Sequence, residues 1–358
     1  MRKFITIYLH VGFFTCIVFV LGAQTASVKV ADAHLQLDEN SVLKISGNFS
    51  DAGTATIDND GLISVEGAFI HNSATEGFIN RNVLGRLRLY NYDKSTFIGG
   101  QHDLYLENLI VDNPYNIAST TDLYIEHALH LLNGKLFTGA HLVYMRNTSN
   151  NAILGYNERR YIAGTLRRAV RIGTTYHFPI GSYDYYEPAT IDLQNIGTAT
   201  YVEMSFEQKS EANAAVELEG QPLTEFLDYG YWRLSNTDPG NTWFDLTLTS
   251  NGHDNGGTTE SKYALFRRRS ADWEATGTHE AVVPNGTQRG PLSARRTGVT
   301  GLGDFIIGKF DETVRVDQLA ESGFRFIAAV QSAQQLQVRF ESFSSDAFDL
   351  RLYNLSGQ

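Results

Sequence analysis

The side chains in this chain with the most chemistry open to them are histidines, clustered carboxylates and paired arginines. His127 and His130 form an H-x-x-H with His141 close behind, a set that zinc would accept from a helix. On a strand, an offset of three sends two imidazoles to opposite faces, and the apolar residues around them alternate with period two. Solvated or core-edge positions are therefore expected for these histidines. Asp58-Asn59-Asp60-Gly61 and His253-Asp254-Asn255-Gly256-Gly257 are oxygen-rich loops that could hold calcium. Neither has the ligand spacing of an EF-hand or of the glycine-rich nonapeptide repeat, so both read as Asx turns. Arg267-Arg268-Arg269 and Arg295-Arg296 are short basic runs in an acidic chain. Strand alternation prevents each from forming one continuous patch, and solvated strand edges that block association are expected.

Asn236-Thr237-Asp238 is a triplet shared with polygalacturonase active sites. Those enzymes set their carboxylates on adjacent rungs of a solenoid, close enough for acid–base work on a glycosidic bond. Here the triplet runs straight into Pro239-Gly240, and the companion motifs of that family (paired aspartates, G-H-G, R-I-K) do not occur. A turn is the expected structure. The chain contains no G-x-S-x-G, P-loop, C-x-x-C or dinucleotide fingerprint. The expectation is thus no catalytic residue, no cofactor and no metal site. Tyr183, Tyr185, Tyr186, Trp232 and Trp273 remain as aromatics that could stack on sugar rings.

The elements that must position these residues are strands. Asp103-Leu104-Tyr105-Leu106-Glu107-Asn108 returns as Asp122-Leu123-Tyr124-Ile125-Glu126-His127. Within each copy the two apolar side chains face one way and the polar ones the other, which is a half-buried strand. Val42-Leu43-Lys44-Ile45-Ser46-Gly47-Asn48-Phe49 matches Leu62-Ile63-Ser64-Val65-Glu66-Gly67-Ala68-Phe69 at an offset of twenty. Further rungs are expected at 85–92, 103–111, 122–132 and 141–145. A strand recurring about every twenty residues predicts a parallel β-solenoid. The stretch 35–147 holds about six turns, or about 29 Å at ~4.8 Å per rung. An antiparallel sandwich, with short strands and frequent turns, is the alternative.

Stacking like on like predicts Leu106 and Ile125 inward and Tyr105 over Tyr124. It also sets Asp103 over Asp122 and Glu107 over Glu126, two repelling columns unless the carboxylates splay or calcium bridges them. Beyond residue 157 the pattern reads as sandwich. Trp243, Asp245, Thr247 and Thr249 alternate with Phe244, Leu246 and Leu248, between turn signals at Asp238-Pro239-Gly240-Asn241 and Asn255-Gly256-Gly257. Only 210–219 could be a helix, or else a loop.

The chain has 358 residues, 32 glycines and a formal charge of -11. The glycine content and 12% aromatics suit β-structure with many turns. The charge argues against nucleic acid as a partner. Arg2 and Lys3 precede an apolar run to Leu21, and Leu21-Gly22-Ala23 ends it with small residues. An export signal cleaved before Gln24 is expected, leaving no membrane span in the mature chain. The single cysteine, Cys16, lies in that signal, in Phe13-Phe14-Thr15-Cys16, which is not a lipoprotein motif.

The second half carries a resemblance. Tyr161-Ile162-Ala163-Gly164-Thr165-Leu166-Arg167-Arg168, Tyr176-His177-Phe178-Pro179-Ile180-Gly181 and Glu187-Pro188-Ala189-Thr190-Ile191 are the first of its motifs. Tyr231-Trp232-Arg233-Leu234, Leu265-Phe266-Arg267-Arg268 with Trp273, and Phe305-Ile306-Ile307-Gly308 continue it. Together they resemble a region of secreted surface proteins from Bacteroidetes-type bacteria, in which a β-solenoid leads into "Y-x-F-P-V-G" and "P-x-x-I" strands. Val338 to Phe340 and Leu350-Arg351-Leu352-Tyr353-Asn354-Leu355-Ser356-Gly357-Gln358 resemble strands and the "Y-N-L-x-G-Q" turn of a type IX secretion sorting domain. Two departures are a missing "P-N-P" opening and an end at Gln358, where such domains run on, which implies a truncated sorting domain.

The expectation is an all-β chain: signal peptide 1–23, right-handed parallel β-solenoid 24–157, β-sandwich region 158–310, and the start of a sorting domain at 311–358. Its expected role is non-enzymatic, structural or adhesive, at the cell surface or in the medium. The expected partners are the secretion machinery and, beyond it, surface glycans or surface proteins. The alternative is a carbohydrate-binding or carbohydrate-cleaving protein. Exposed aromatics in a groove beside two carboxylates would favour that alternative; scattered or buried aromatics would favour the scaffold.

Overall fold

The computed structural model describes residues 27–74, 78–79, 84–211, 216–218, 221–223, 225–227, 230–251, 262–269, 272–280, 291–310, 324–332 and 335–342. The expected signal segment, the loop at 253–257 and the motif at 350–358 lie outside them. The chain divides into two compact units, Met1–Phe310 and Asp311–Gln358. In the second, Phe324–Ser332 and Gln335–Ser342 form an antiparallel hairpin.

The first unit begins as a parallel solenoid of about seven turns. One face stacks Val28–Ala31, Phe49–Gly53, Phe69–Ser73, Thr96–Gly100, Ile117–Ser119 and the start of Leu136–Met145 in that order. Another stacks Val42–Ile45, Leu62–Val65 and Arg86–Tyr90 under the second half of Leu104–Asp112. The offset of twenty is the register itself: Ile45 pairs with Val65 and Phe49 with Phe69. Those two phenylalanines are fully buried, their rings stacked at 4.9 Å and 13°. Burying each ring contributes about 2–3 kcal/mol, and the stacked pair about 1 kcal/mol more. Each turn thus supplies the apolar lid of the one before it.

The repeated phrase pairs as expected at first, with Leu104 beside Leu123, Tyr105 beside Tyr124 and Leu106 beside Ile125. Then the register slips. Asn108 pairs with Ala128, so Glu107 faces both Glu126 and His127 across a bulge. The expected column of Glu107 over Glu126 is therefore broken. The cause is packing: Leu109 and Val111 must meet Leu129 and Leu131, twenty residues on, while Leu104 and Leu106 meet partners nineteen on. The corner absorbs the extra residue.

The strand Ile162–Ala169 closes the solenoid and opens the sandwich. One edge pairs parallel with Leu136–Met145, the other antiparallel with Tyr201–Glu207. Parallel pairing thus runs past residue 157, and Ile180–Gly181 adds a further parallel contact to Ile162 and Ala163. From Tyr201–Glu207 the same sheet continues through Tyr231–Ser235, Gly303–Phe310 and Lys262–Arg268. Facing it is a five-stranded antiparallel sheet of Thr174–Phe178, Ala189–Ile196, Thr242–Ser250, Leu292–Thr300 and Thr278–Glu280. Phe244, Leu246 and Leu248 are all buried on its inner side, as their alternation predicts, and Phe244 meets Phe305 of the opposite sheet edge to face at 6.1 Å. Within 210–219, Glu217–Leu218 is a short strand rather than a helix.

Candidate functional site

Two of the three histidines go to carboxylates on the preceding turn. His127, the extra residue of the bulge, brings Nε2 to 2.9 Å from Glu107 Oε2, a charge contact without hydrogen-bond alignment. His141 Nδ1 stands 3.5 Å from Asp122 Oδ1, which also accepts the Leu142 N–H at 3.0 Å. His130 lies one face away, and burial together with Arg86 lowers its imidazole pKa below the ordinary value. The three are not brought together. Burial raises the Glu107 carboxyl pKa; His127 opposes that shift, and Glu126 and Asp60 add to it. Glu126 itself turns to the following turn, accepting from Arg146 Nη1 at 2.6 Å.

A buried carboxylate of the solenoid behaves alike. Asp112 accepts from Asn133 Nδ2 at 2.6 Å, Arg88 Nε at 2.9 Å and the Tyr92 hydroxyl at 3.0 Å. Burial works to raise its carboxyl, and these hydrogen bonds outweigh it and hold the pKa below the usual range. Tyr105 and Tyr124 stack at 4.5 Å and 15°, as the repeat predicts. Tyr144 follows at 5.9 Å, and the Arg167 guanidinium then lies 5.4 Å above Tyr144 and 4.5 Å above Tyr201. Arg167 also donates to Glu203 Oε2 from Nε at 2.9 Å and Nη2 at 2.6 Å. This column crosses from the solenoid into the sandwich. Stacked on one another, Tyr105 and Tyr124 each cover one face of the other's ring.

Asp58 and Asn59 end the strand Thr56–Asn59 and the chain bends at Asp60-Gly61: Asn59 Oδ1 accepts the Gly61 N–H at 3.1 Å and its Nδ2 donates to Arg86 O at 3.3 Å. A Cβ on Gly61 would sit 2.4 Å from Ser41 O, so only glycine fits there. Asn236-Thr237-Asp238 is also a turn. The Asp238 N–H donates to Asn236 Oδ1 at 2.8 Å, and its carboxylate accepts from Thr198 N at 3.0 Å and Asn241 Nδ2 at 2.9 Å. These bonds, the Thr198 N–H first, hold the Asp238 carboxyl below the usual carboxylate range.

The arginine runs depart from the expected solvated edges. Arg267 and Arg296 are buried, Arg267 Nη1 donating to Gly301 O at 3.0 Å and Arg296 Nη1 to Leu265 O at 2.8 Å. Arg268 is held by Glu211 at 2.7 Å and Asp304 at 3.1 Å, with its guanidinium 4.4 Å above Trp273. Only Arg269 and Arg295 are exposed. The buried guanidiniums serve backbone carbonyls of neighbouring segments, which need donors where water is excluded. Of the five candidate aromatics, Trp232 and Trp273 are buried, and Tyr185 and Tyr186 half-buried. Tyr183 is 67% exposed and stacks on Phe137 at 5.1 Å and 22°.

Three buried groups escaped the sequence reading. His71 Nδ1 meets Asp51 Oδ2 at 2.7 Å inside the solenoid, and Asp51 Oδ1 accepts the N–H groups of Asn72 (2.7 Å) and Ser73 (2.9 Å). The signal was available: the offset aligning Phe49 with Phe69 aligns Asp51 with His71. Arg168, 1% exposed, donates to His177 O at 2.6 Å and Ser149 O at 2.8 Å beneath the junction of solenoid and sandwich. Burial lowers its pKa to about 10. Glu187 is also fully buried, its carbonyl accepting from Trp232 Nε1 at 2.9 Å, and burial raises its carboxyl well above the ordinary range, the Asn251 N–H drawing it partly back.

Among the described residues no group of three or more His, Cys, Asp or Glu is placed to hold a metal ion. No helix among them is long and apolar enough to cross a membrane. The chain matches no protein-family model, no curated protein and no solved structure.

Proposed function

We propose that this is a non-enzymatic, exported protein of the cell surface or medium, with a structural or adhesive role. Its delivery would run through type IX secretion, as the motifs at 338–340 and 350–358 imply. The observation that carries this reading is where the solenoid's carboxylates and stacked tyrosines go. Glu107, Glu126, Asp112 and Asp122 all take partners from a neighbouring turn, and Tyr105 and Tyr124 take each other. Side chains committed to stapling turns serve rigidity, whereas an acid–base pair must face a substrate. Burial of Trp232 and Trp273 adds support by the aromatic criterion. Of the five candidate aromatics only Tyr183 is exposed, although Tyr92, Tyr115 and Trp243 are exposed elsewhere on the described surface.

The test is the purified full chain on pectin, alginate and glycosaminoglycan substrates, with no turnover expected. Turnover lost on Asp238→Asn would sink the proposal. Export is checked by intact mass of secreted protein, which should begin at Gln24; retention of residues 1–23 would contradict the signal reading.

A further inference from the structure

The outward side of the five-stranded sheet carries an indole, Trp243, that is 48% exposed. Its strand, Thr242–Ser250, pairs with Ala189–Ile196 along one edge and with Leu292–Thr300 along the other. Both neighbours bulge beside the indole. On one side Gln194 is the extra residue, between Leu193 opposite Phe244 and Asn195 opposite Trp243. On the other, Thr297 and Gly298 together face Asp245. Bulges on both flanks interrupt the regular alternation at this one place and re-aim the side chains they carry.

Asp245 ties the two bulges together. Its Oδ1 accepts the Gly298 N–H at 2.8 Å and Gln194 Nε2 at 3.3 Å, and its Oδ2 accepts from Arg295 Nη2 at 3.3 Å. The indole reaches the open side of Gly298. A Cβ there would stand 3.7 Å from Trp243 Nε1 and meet no other residue within 4 Å beyond its chain neighbours. The other exposed aromatics are placed differently. Tyr183 stacks on Phe137, the Tyr92 hydroxyl donates to Asp112, and Tyr115 stands on a turn of the solenoid.

We propose that Trp243 and the two bulges beside it form a binding site for a neutral saccharide. A pyranose presents C–H groups on its face and hydroxyls around its rim. The C–H groups rest on the electron-rich face of an indole, and the hydroxyls require donors and acceptors next to it. Gln194 and Asn195, both exposed, offer amides that supply each kind. The core of a protein–protein contact would instead gather apolar neighbours, whereas the next outward residues along this strand are Asp245, Thr247 and Thr249. Charge selects among sugars. Asp192 stands opposite Asp245 and Glu280 lies 3.3 Å from Arg295, so carboxylates outnumber the guanidinium and repel uronates and sulfates. The site deepens the adhesive reading by naming its ligand class, and rests on that reading for a glycan to be met.

The chain has three tryptophans, and Trp232 and Trp273 are buried, so collisional quenching by acrylamide reads Trp243. The full chain is titrated with hydroxyethylcellulose, mannan and laminarin, and with alginate and a Gly-Ser peptide bearing one central Tyr for comparison. At least one neutral polysaccharide should protect the emission from acrylamide and retard the chain in an affinity gel. Trp243→Ala should weaken that retardation roughly 2- to 10-fold, and Trp243→Phe, which keeps a ring face, by less. Gln194→Ala, which removes an exposed amide, should weaken it roughly 2-fold or more. Melting curves report the folding of each variant, and Gln194→Ala carries the test if Trp243→Ala is unfolded. Retardation by no neutral polysaccharide, retardation unchanged in these variants, binding confined to alginate, or protection by the tyrosine peptide alone would overturn the proposal. Hydrolysis of a bound polysaccharide would remove the non-enzymatic reading and leave the site standing. A secreted chain that ignores all three neutral polysaccharides and cleaves none would remove the site and leave the scaffold standing.

Discussion

Charge reversal at Glu126 separates the bulged corner from simple like-on-like stacking. If Glu126 lay over Glu107 in register, Glu126→Lys would replace repulsion with attraction and stabilise the fold. With the bulge, the nearest charge is Arg146, at 2.6 Å. Both side chains are a third to a half exposed, so the Coulomb energy is heavily screened and the pair is worth about 0.3–0.5 kcal/mol. An introduced ammonium then faces the guanidinium; two like charges ~5 Å apart in water repel by roughly 0.8 kcal/mol, which salt and side-chain motion cut to a few tenths. Relief of the Glu107 contact offsets part of this, because Glu126 is one of the charges that raise the Glu107 carboxyl. Glu126→Lys should therefore cost about 0.5 kcal/mol and lower Tm by about 1–2 °C. The assay is a double-mutant cycle of Glu126→Lys, Arg146→Glu and the swapped pair, by denaturant unfolding at low salt. The swap should recover most of the loss, with a coupling of about 0.3–1 kcal/mol. A rise in stability for Glu126→Lys alone, with no coupling to Arg146, would refute the bulged register.

Leu106, 1% exposed, faces the core; Leu106→Asp should cost about 3 kcal/mol or more, and a wild-type melting curve would show the parity to be wrong. Arg168→Met removes the donor from the His177, Ser149 and Asn150 carbonyls while relieving a desolvated charge, for a net loss of about 2–4 kcal/mol that a shifted denaturant midpoint should record. Glu187 titrates above its unfolded value, so the native state holds its proton to higher pH. Its contribution is fully present below the ordinary carboxylate range and lost as pH rises through the raised folded value. Glu187→Gln should flatten that decline, and a stability–pH profile unchanged by the substitution would exclude Glu187 as its source.

Much of this architecture is legible in the sequence because each turn repeats the burial problem of the last. Ile45 and Val65, Phe49 and Phe69, or Leu104 and Leu123 are interchangeable solutions at one offset. The bulge was legible only to a reader who compared two offsets, since the apolar match changes from nineteen to twenty between Leu106 and Leu109. The outward charges were harder. Period two gives the face on which Glu126 stands, but choosing among Glu107, His127 and Arg146 takes the corner's geometry. Arg168 shows the same limit from inside. Alternation with Leu166 predicts that it points inward, yet an arginine there makes sense only once His177 and Ser149 carbonyls are seen to converge on it.

The strand Ile162–Ala169, bonded parallel on one edge and antiparallel on the other, has a mechanical consequence. A hinge needs a segment whose torsions can change without breaking backbone pairing, and here the junction of the two architectures is itself a paired strand. Load applied to the sandwich reaches the solenoid through two ladders of hydrogen bonds that overlap at Leu166, Arg167 and Arg168 of this one strand. Bending there would strain both ladders at once, and the Tyr144–Arg167–Tyr201 column, laid across the seam, resists the same motion from outside. A pull that opens one architecture should therefore open the other in the same event, leaving a single rupture force rather than two.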